Sequence, residues 1–181
     1  MTSPAHQRAS DRVAEAAESL DADIVVMIQG DEPLITPEMV EMSFNPLIED
    51  SSIFCINLTK QIDSEEEYRD PNTIKVVMDH EGYALYMSRE PIPTTHGSDF
   101  SNIKAYKQVC VISYPKKFLL DFARMEPTDL EVAESIDMQR ILEHGLRVKM
   151  VECTQVTHSV DVVEDVAIVE NLMRGDPLVG K

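Results

Sequence analysis

The chain has 181 residues, 33 acidic against 16 basic, and a formal net charge of -17 at pH 7. That length predicts one domain able to bury a core without staples, and the charge excludes nucleic acid and anionic membranes as partners, since both would repel it. No apolar run approaches the roughly 20 residues of a membrane span and no signal peptide precedes the first polar segment, so a cytoplasmic protein is expected.

In chain order, Ser10 or Asp11 can cap a helix with Val13, Ala17 and Leu20 on one face. Ile24 to Ile28 reads as a strand buried on both faces. It is followed at once by Gln29-Gly30-Asp31-Glu32-Pro33, where Gly30 permits a tight turn and two carboxylates stand at the strand's exit. Thr36-Pro37-Glu38 opens a second helix, expected to stop or kink near Asn45-Pro46. Ser52 to Leu58 is a second buried strand and Asp63 to Asp70 an acidic stretch. Ile74 to Met78 and Tyr83 to Met87 form a hairpin around Asp79-His80-Glu81-Gly82, and a looser segment with Pro91, Pro93 and Gly97 follows.

Gln108 to Ser113 is strand-like, and Pro115 opens a helix carrying Phe118, Leu119 and Phe122. Thr128 to Glu131 has capping-box spacing for a helix ending at Gly145. Arg147 to Cys153 is another strand, and Thr157 to Val160 leads like a strand into Asp161. Asp161 to Glu164 again has capping-box-like spacing, for a last helix with Val162, Val166, Val169 and Met173 on one face. The alternation predicts an α/β fold, an incomplete doubly wound, Rossmann-like sheet, mainly parallel, with an antiparallel hairpin insertion. Cys55, Cys110 and Cys153 lack metal-ligand spacing and read as reduced core thiols.

Asp31 and Asp161 each directly follow a strand-like run, so in one parallel sheet both would project at the same edge and could share Mg²⁺. The plainer alternatives are a helix N-cap for Asp161 and loop polarity for Glu32-Pro33.

Ile24 to Val40 resembles the central motif of the 3-deoxy-manno-octulosonate (Kdo) cytidylyltransferases, also called CMP-Kdo synthetases. The resemblance continues collinearly. Met1 to Ala17 is similar to the family's His-x-Ser-Gly-Thr-Asp/Glu-Arg segment, Asp70 to Pro93 contains its Ala-Leu-Tyr-x-Ser-Arg run, and Leu130 to Gly145 and Ser159 to Val166 complete it. It implies a nucleotidyltransferase with Mg²⁺ as cofactor, in which the anomeric hydroxyl of a sugar acid attacks the α-phosphate of CTP. Asp31 and Asp161 would be the catalytic, metal-holding pair. Arg8, Ser10, Asp11, Arg12 and Gly30 would meet the nucleotide, and Gln29, Arg89, Gln108 and Glu134 the sugar acid. His6 also matches; Lys75 either touches phosphate or lines a solvent face. Without the family, Arg89 reads equally as a surface arginine and Glu134 as an exposed helix acid. The resemblance further implies a homodimer formed largely through Tyr83 to Pro93.

Departures also stand out. Nothing here resembles the family's first strand and triphosphate-gripping loop, so the expectation is one cytidylyltransferase-like domain over 1–181 lacking both, active alone or not. Where the family reads Arg-His-x-Gly-x-Tyr, Lys107 to Ile112 puts Gln108 for the imidazole and Ile112 for the tyrosine. Asp137-Met138-Gln139-Arg140 replaces Glu-Gln-Leu-Arg. Such changes can alter selectivity, so Kdo or a close relative such as an amino-substituted Kdo is the expected acceptor. The rival from another class is a non-catalytic sugar-acid or nucleotide-binding module. A metal-dependent glycosyltransferase would need an Asp-x-Asp pair, and Glu32 beside Asp31 is the wrong spacing.

Overall fold

The structure is a computed structural model that describes residues 1–176. Strands β1 (Ile24–Ile28), β2 (Ile56–Gln61), β3 (Lys75–Met78), β4 (Ala84–Ser88), β5 (Tyr106–Pro115) and β6 (Lys149–Glu152) form one sheet. Helices α1 (Ala9–Glu18), α2 (Pro37–Glu49), α3 (Glu65–Arg69), α4 (Lys116–Phe122), α5 (Asp129–Glu134), α6 (Met138–Glu143) and α7 (Val163–Met173) surround it. The sheet order is β4-β3-β5-β2-β6, with β1 also on β5. β1, β2 and β3 all run against β5, and β6 is parallel to β2, so four strands point one way. The expected direction of the sheet therefore holds, but the long reversed strand β5 sits among these strands and leaves β2·β6 as the one directly bonded parallel pair among the described residues.

β5 organises the molecule. One of its edges is shared: β3 bonds its first residues at Tyr106 and Lys107, and β1 bonds its last from Val111 to Pro115. Between them, near Gln108 and Cys110, that edge is left to the loops that leave β1 and enter β3. On the other edge, the register with β2 jumps from Asn57↔Ile112 to Leu58↔Val109, a bulge that would strand carbonyls in the interior. The fully buried Asn57 amide donates to Val109 O at 2.8 Å and Leu58 O at 2.9 Å, which removes that penalty. The main core packs α1, α4 and α6 against one sheet face around Met27, Tyr114, Leu119, Phe122 and Ile141. α2 covers Leu58, Val109 and Val111 on the other through Met39.

Several expectations need correction. Ser10 lies inside α1, fully buried, and its hydroxyl donates to Asp137 at 2.6 Å instead of capping; Leu20 is exposed. α2 is capped by Thr36 as expected but runs through Pro46 to Glu49. Its inner face is held by Met39, Ser43 and Leu47, with Ser43 bonded to Ser113 at 2.8 Å. β2 starts at Ile56, later than Ser52, and the acidic stretch contains α3. The helix begun at Thr128 breaks at Ser135, which takes the left-handed conformation at φ 55°, and α6 then ends before Gly145 at φ 72°. Thr157 to Val160 is not a strand. Asp165, not Glu164, closes the start of α7, accepting from the Asp161 and Val162 amides at 2.9 Å each. Of the face foreseen on α7, Val169 is buried while Val162 and Val166 are exposed.

Candidate active site

β1 delivers Gln29 to the gap on β5, where the Gln29 amide bonds Cys110 O at 3.2 Å. The chain then turns, Glu32 N–H closing on Gln29 O at 3.2 Å, and presents Asp31. Asp31 O in turn accepts the Val160 amide at 2.8 Å. A single backbone bond therefore does what a second parallel strand was expected to do. It sets Asp161, one residue on, beside Asp31 at the mouth of the sheet.

Both aspartates line a cleft of about 570 Å³. Its walls include Gln29, Gln108 and Cys110 from the β1–β5 gap, Asp70, Thr73 and Arg89 from the β3–β4 side, and His158 and Asp165 from the approach to α7. Burial raises the Asp161 pKa, and the negative charge of Asp31 raises it further, an electrostatic sign that the two acids face one space. Asp31 Oδ1 is buried without a hydrogen-bond partner. Asp161 uses its amide, not its carboxylate, at the start of α7, so the N-cap alternative is overturned. Such a pair fits Mg²⁺, which takes one or two carboxylates and completes its shell with substrate phosphate and water. Among the described residues, no group of three or more His, Cys, Asp or Glu side chains forms a self-sufficient metal cage.

The other expected site residues divide. Gln29, Arg89 and Gln108 reach the cleft with the aspartates; Glu134 and Gly30 are not part of its lining. Arg89 is neither a free fork nor a loose surface side chain. Its Nε bonds Glu134 O at 2.8 Å, one terminal nitrogen bonds Pro71 O at 3.0 Å, and Glu134 accepts the Arg89 amide at 2.9 Å. Glu134 also accepts from Ser88 at 2.8 Å and Tyr86 at 3.1 Å. Burial alone would raise its pKa, but these donors outweigh it and hold the carboxyl below its ordinary value. Glu134 is thus a fastener behind Arg89 rather than an exposed helix acid.

Lys75 is wholly buried and donates to the carbonyls of Asp70, Thr73 and Arg89, so it neither touches a ligand nor lines a solvent face. Gln108 bonds Asn57 Oδ1 at 2.5 Å while facing the cleft. Ile112, where the family has tyrosine, is a core residue. Cys55 and Cys153 are buried, and burial pushes both thiols up; Cys110, expected in the core, is partly exposed on the cleft, and burial likewise pushes its thiol up.

Arg8, Ser10, Asp11 and Arg12 do not line this cleft. Arg8 donates to Ser135 Oγ at 2.8 Å and Glu131 O at 3.1 Å, and Asp11 lies 3.3 Å from Arg140. Arg12 bonds Thr2 and Ser3. His6 pairs with Glu15. Sequence reasoning missed Lys60, Lys107, Thr157, His158 and Asp165, all lining the cleft. For the last three the signal available was the polar run Thr157 to Ser159 ahead of the apolar helix whose first turn carries Asp165.

A family model described as cytidylyltransferase matches residues 1–153. The 3-deoxy-manno-octulosonate cytidylyltransferase of Geotalea daltonii is 44% identical over 174 residues, covering 91% of this chain and 69% of the relative. The chain belongs to the cytidylyltransferase family. That of Geobacter metallireducens is 42% identical over 96% of this chain and 72% of its own length. A solved CMP:2-keto-3-deoxy-manno-octonic acid synthetase complexed with CTP superimposes with a TM-score of 0.85 at 30% identity, over 96% of this chain and 70% of that one. A putative glucose-1-phosphate thymidylyltransferase from Bacillus anthracis, at TM-score 0.59 and 14% identity, shares the fold. Among the described residues no helix of this cytidylyltransferase is long and apolar enough to cross a membrane.

Proposed function

We propose that the chain transfers CMP from CTP to the anomeric hydroxyl of Kdo or a close relative, releasing pyrophosphate, in the cytoplasm and as a homodimer. The observation that carries this is the pairing of Asp31 and Asp161 across the Val160–Asp31 backbone bond, at the mouth of a sheet whose relatives are Kdo cytidylyltransferases. Asp31 and Asp161 would hold Mg²⁺, which when bound offsets charge on the phosphates and lowers the pKa of the attacking hydroxyl. The protein's own task is positioning, because phosphoryl transfer asks little covalent chemistry of it. Gln29 and Gln108 offer amides to the hydroxyls of a polyhydroxy acid from one side of the cleft. Arg89, locked by Glu134 and Pro71, supplies fixed positive charge on the other and suits the sugar carboxylate.

Pyrophosphate release from CTP, Kdo and Mg²⁺ tests the reading, with amino-substituted Kdo as second acceptor. Asp31→Asn and Asp161→Asn should each lower kcat by about a hundredfold or more. Turnover undiminished in both variants overturns the metal roles, and no release with either acceptor overturns the activity.

A further inference from the structure

The last rung of the β1–β5 ladder is incomplete. In an antiparallel pair the Gln29–Cys110 rung would carry two bonds, and only Gln29 N to Cys110 O is made by backbone. The Gln29 carbonyl is occupied by the Glu32 amide in the turn. The Cys110 amide is taken instead by the Glu32 side chain, Oε1 accepting at 3.1 Å. That same oxygen accepts the Ser159 hydroxyl at 3.1 Å. Glu32 is 5% exposed, an unusual burial for a carboxylate, and its Oε2 has no partner. One buried oxygen thereby ties three pieces together: the turn after β1, the gap in β5, and the irregular segment that brings Asp161.

We propose that Glu32 is a positioning residue that sets the distance between Asp31 and Asp161 by bracing residues 157–160 against β5. This rests on reading the two aspartates as a working pair. The segment has no strand ladder of its own, and its backbone link to the turn is the Val160–Asp31 bond. Without the Glu32–Ser159 contact that bond is the remaining tie from the segment to the turn among the described residues, since His158 bonds Asp165 of α7 instead, at 3.1 Å. The role needs an acceptor oxygen at this point, not a negative charge.

Glu32→Ala, Glu32→Gln and Ser159→Ala in the full chain separate these possibilities, read by amide hydrogen exchange at Val160, by Mg²⁺ titration in the presence of CTP, and by kcat and KM. Glu32→Ala should speed Val160 exchange by about tenfold, relative to the Ala84 amide bonded to Val148 as internal control, and weaken Mg²⁺ binding by a similar factor. It should lower kcat more than it raises the sugar-acid KM. Glu32→Gln, whose amide oxygen can accept both bonds, should recover most of each loss, and Ser159→Ala should show part of it. Unchanged Val160 exchange in Glu32→Ala, or Glu32→Gln as impaired as Glu32→Ala, overturns the proposal. Should Glu32→Ala not fold, faster Val160 exchange in Ser159→Ala but not in Glu32→Gln supports it, and the reverse overturns it. Undiminished turnover in Asp31→Asn would instead fault the reading of the pair, and Val160 exchange would still decide the brace.

Discussion

Removing the guanidinium of Arg140 should cost the fold more than any change at the cleft. Arg140 is 2% exposed and grips Glu131, itself 1% exposed, through two bonds, Nε to Oε2 at 2.7 Å and a terminal nitrogen to Oε1 at 2.6 Å. Its other terminal nitrogen reaches Asp11 at 3.3 Å and Phe122 O at 3.4 Å. Arg140→Met keeps the apolar stem but leaves the Glu131 carboxylate buried without its main partner. Breaking a buried pair in this way costs about 3–5 kcal/mol. Arg8 lies 3.4 Å from Glu131 Oε1 and supplies partial compensation, which places the expected loss near the lower bound, about 3 kcal/mol. For a chain of this size that is a fall in melting temperature of about 10 °C. Denaturant titration should give the same figure with an unchanged slope. Adding Glu131→Met removes the stranded charge, so the double variant should lie within about 1 kcal/mol of the parent. A loss below about 1 kcal/mol in Arg140→Met, or strict additivity of the two substitutions, would refute the reasoning. The outcome bears on function, because this network fastens the start of α1, where nucleotide contacts were expected, to α5 and α6.

The same network fixes a pH dependence. Burial alone would raise the Glu131 pKa, but the Arg140 bonds outweigh it and leave the carboxyl below its ordinary 4.5. A folded-state pKa below the unfolded one means stabilisation in full above about pH 4.5, lost as pH falls through the lower folded value; Arg140→Met with Glu131→Met should show a shallower stability loss there, measured by urea midpoints at pH 5 and pH 3. Asp161 has the opposite sign, since burial and Asp31 raise its pKa and ionisation destabilises the metal-free fold as pH rises; Asp161→Asn should melt higher than the parent at pH 7 without Mg²⁺ while losing turnover. Lys75→Met strands three carbonyls behind Arg89, and should cost about 2–3 kcal/mol in denaturant titration and raise the sugar-acid KM. Pro46→Ala restores an amide donor inside α2 and should stabilise by about 1 kcal/mol in thermal melts.

Local chemistry made several elements legible in the sequence. Thr36-Pro37 starts α2, Gly82 at φ 75° turns the hairpin, and Thr128 with Glu131 opens α5 because each depends on neighbours a few residues away. The misreadings share a different origin. Ser135 accepts a left-handed backbone because Arg8 bonds its hydroxyl and Arg89 the carbonyl before it, contacts from 127 and 45 residues away. α2 continues past Pro46 because its buried face is already anchored to the sheet. Lys75 looked like a strand's outward cation until the loops at Asp70 and Arg89 closed over it. In the cleft, Asp31 was legible from strand, glycine and acid in immediate succession. Glu32 was not, since its worth depends on a gap in β5 that is created 78 residues away.

That gap has an architectural consequence. The wall that carries Asp31 hangs from the exit of β1 and the wall that carries Asp70 and Thr73 from the entry to β3, and the two strands grip different stretches of β5 without bonding to each other. Either wall can therefore be lengthened, shortened or recharged while its neighbour keeps its anchorage. A scaffold of this kind lets the lining around Arg89, Thr73 and Asp70 vary while Asp31 and Asp161 stay in register.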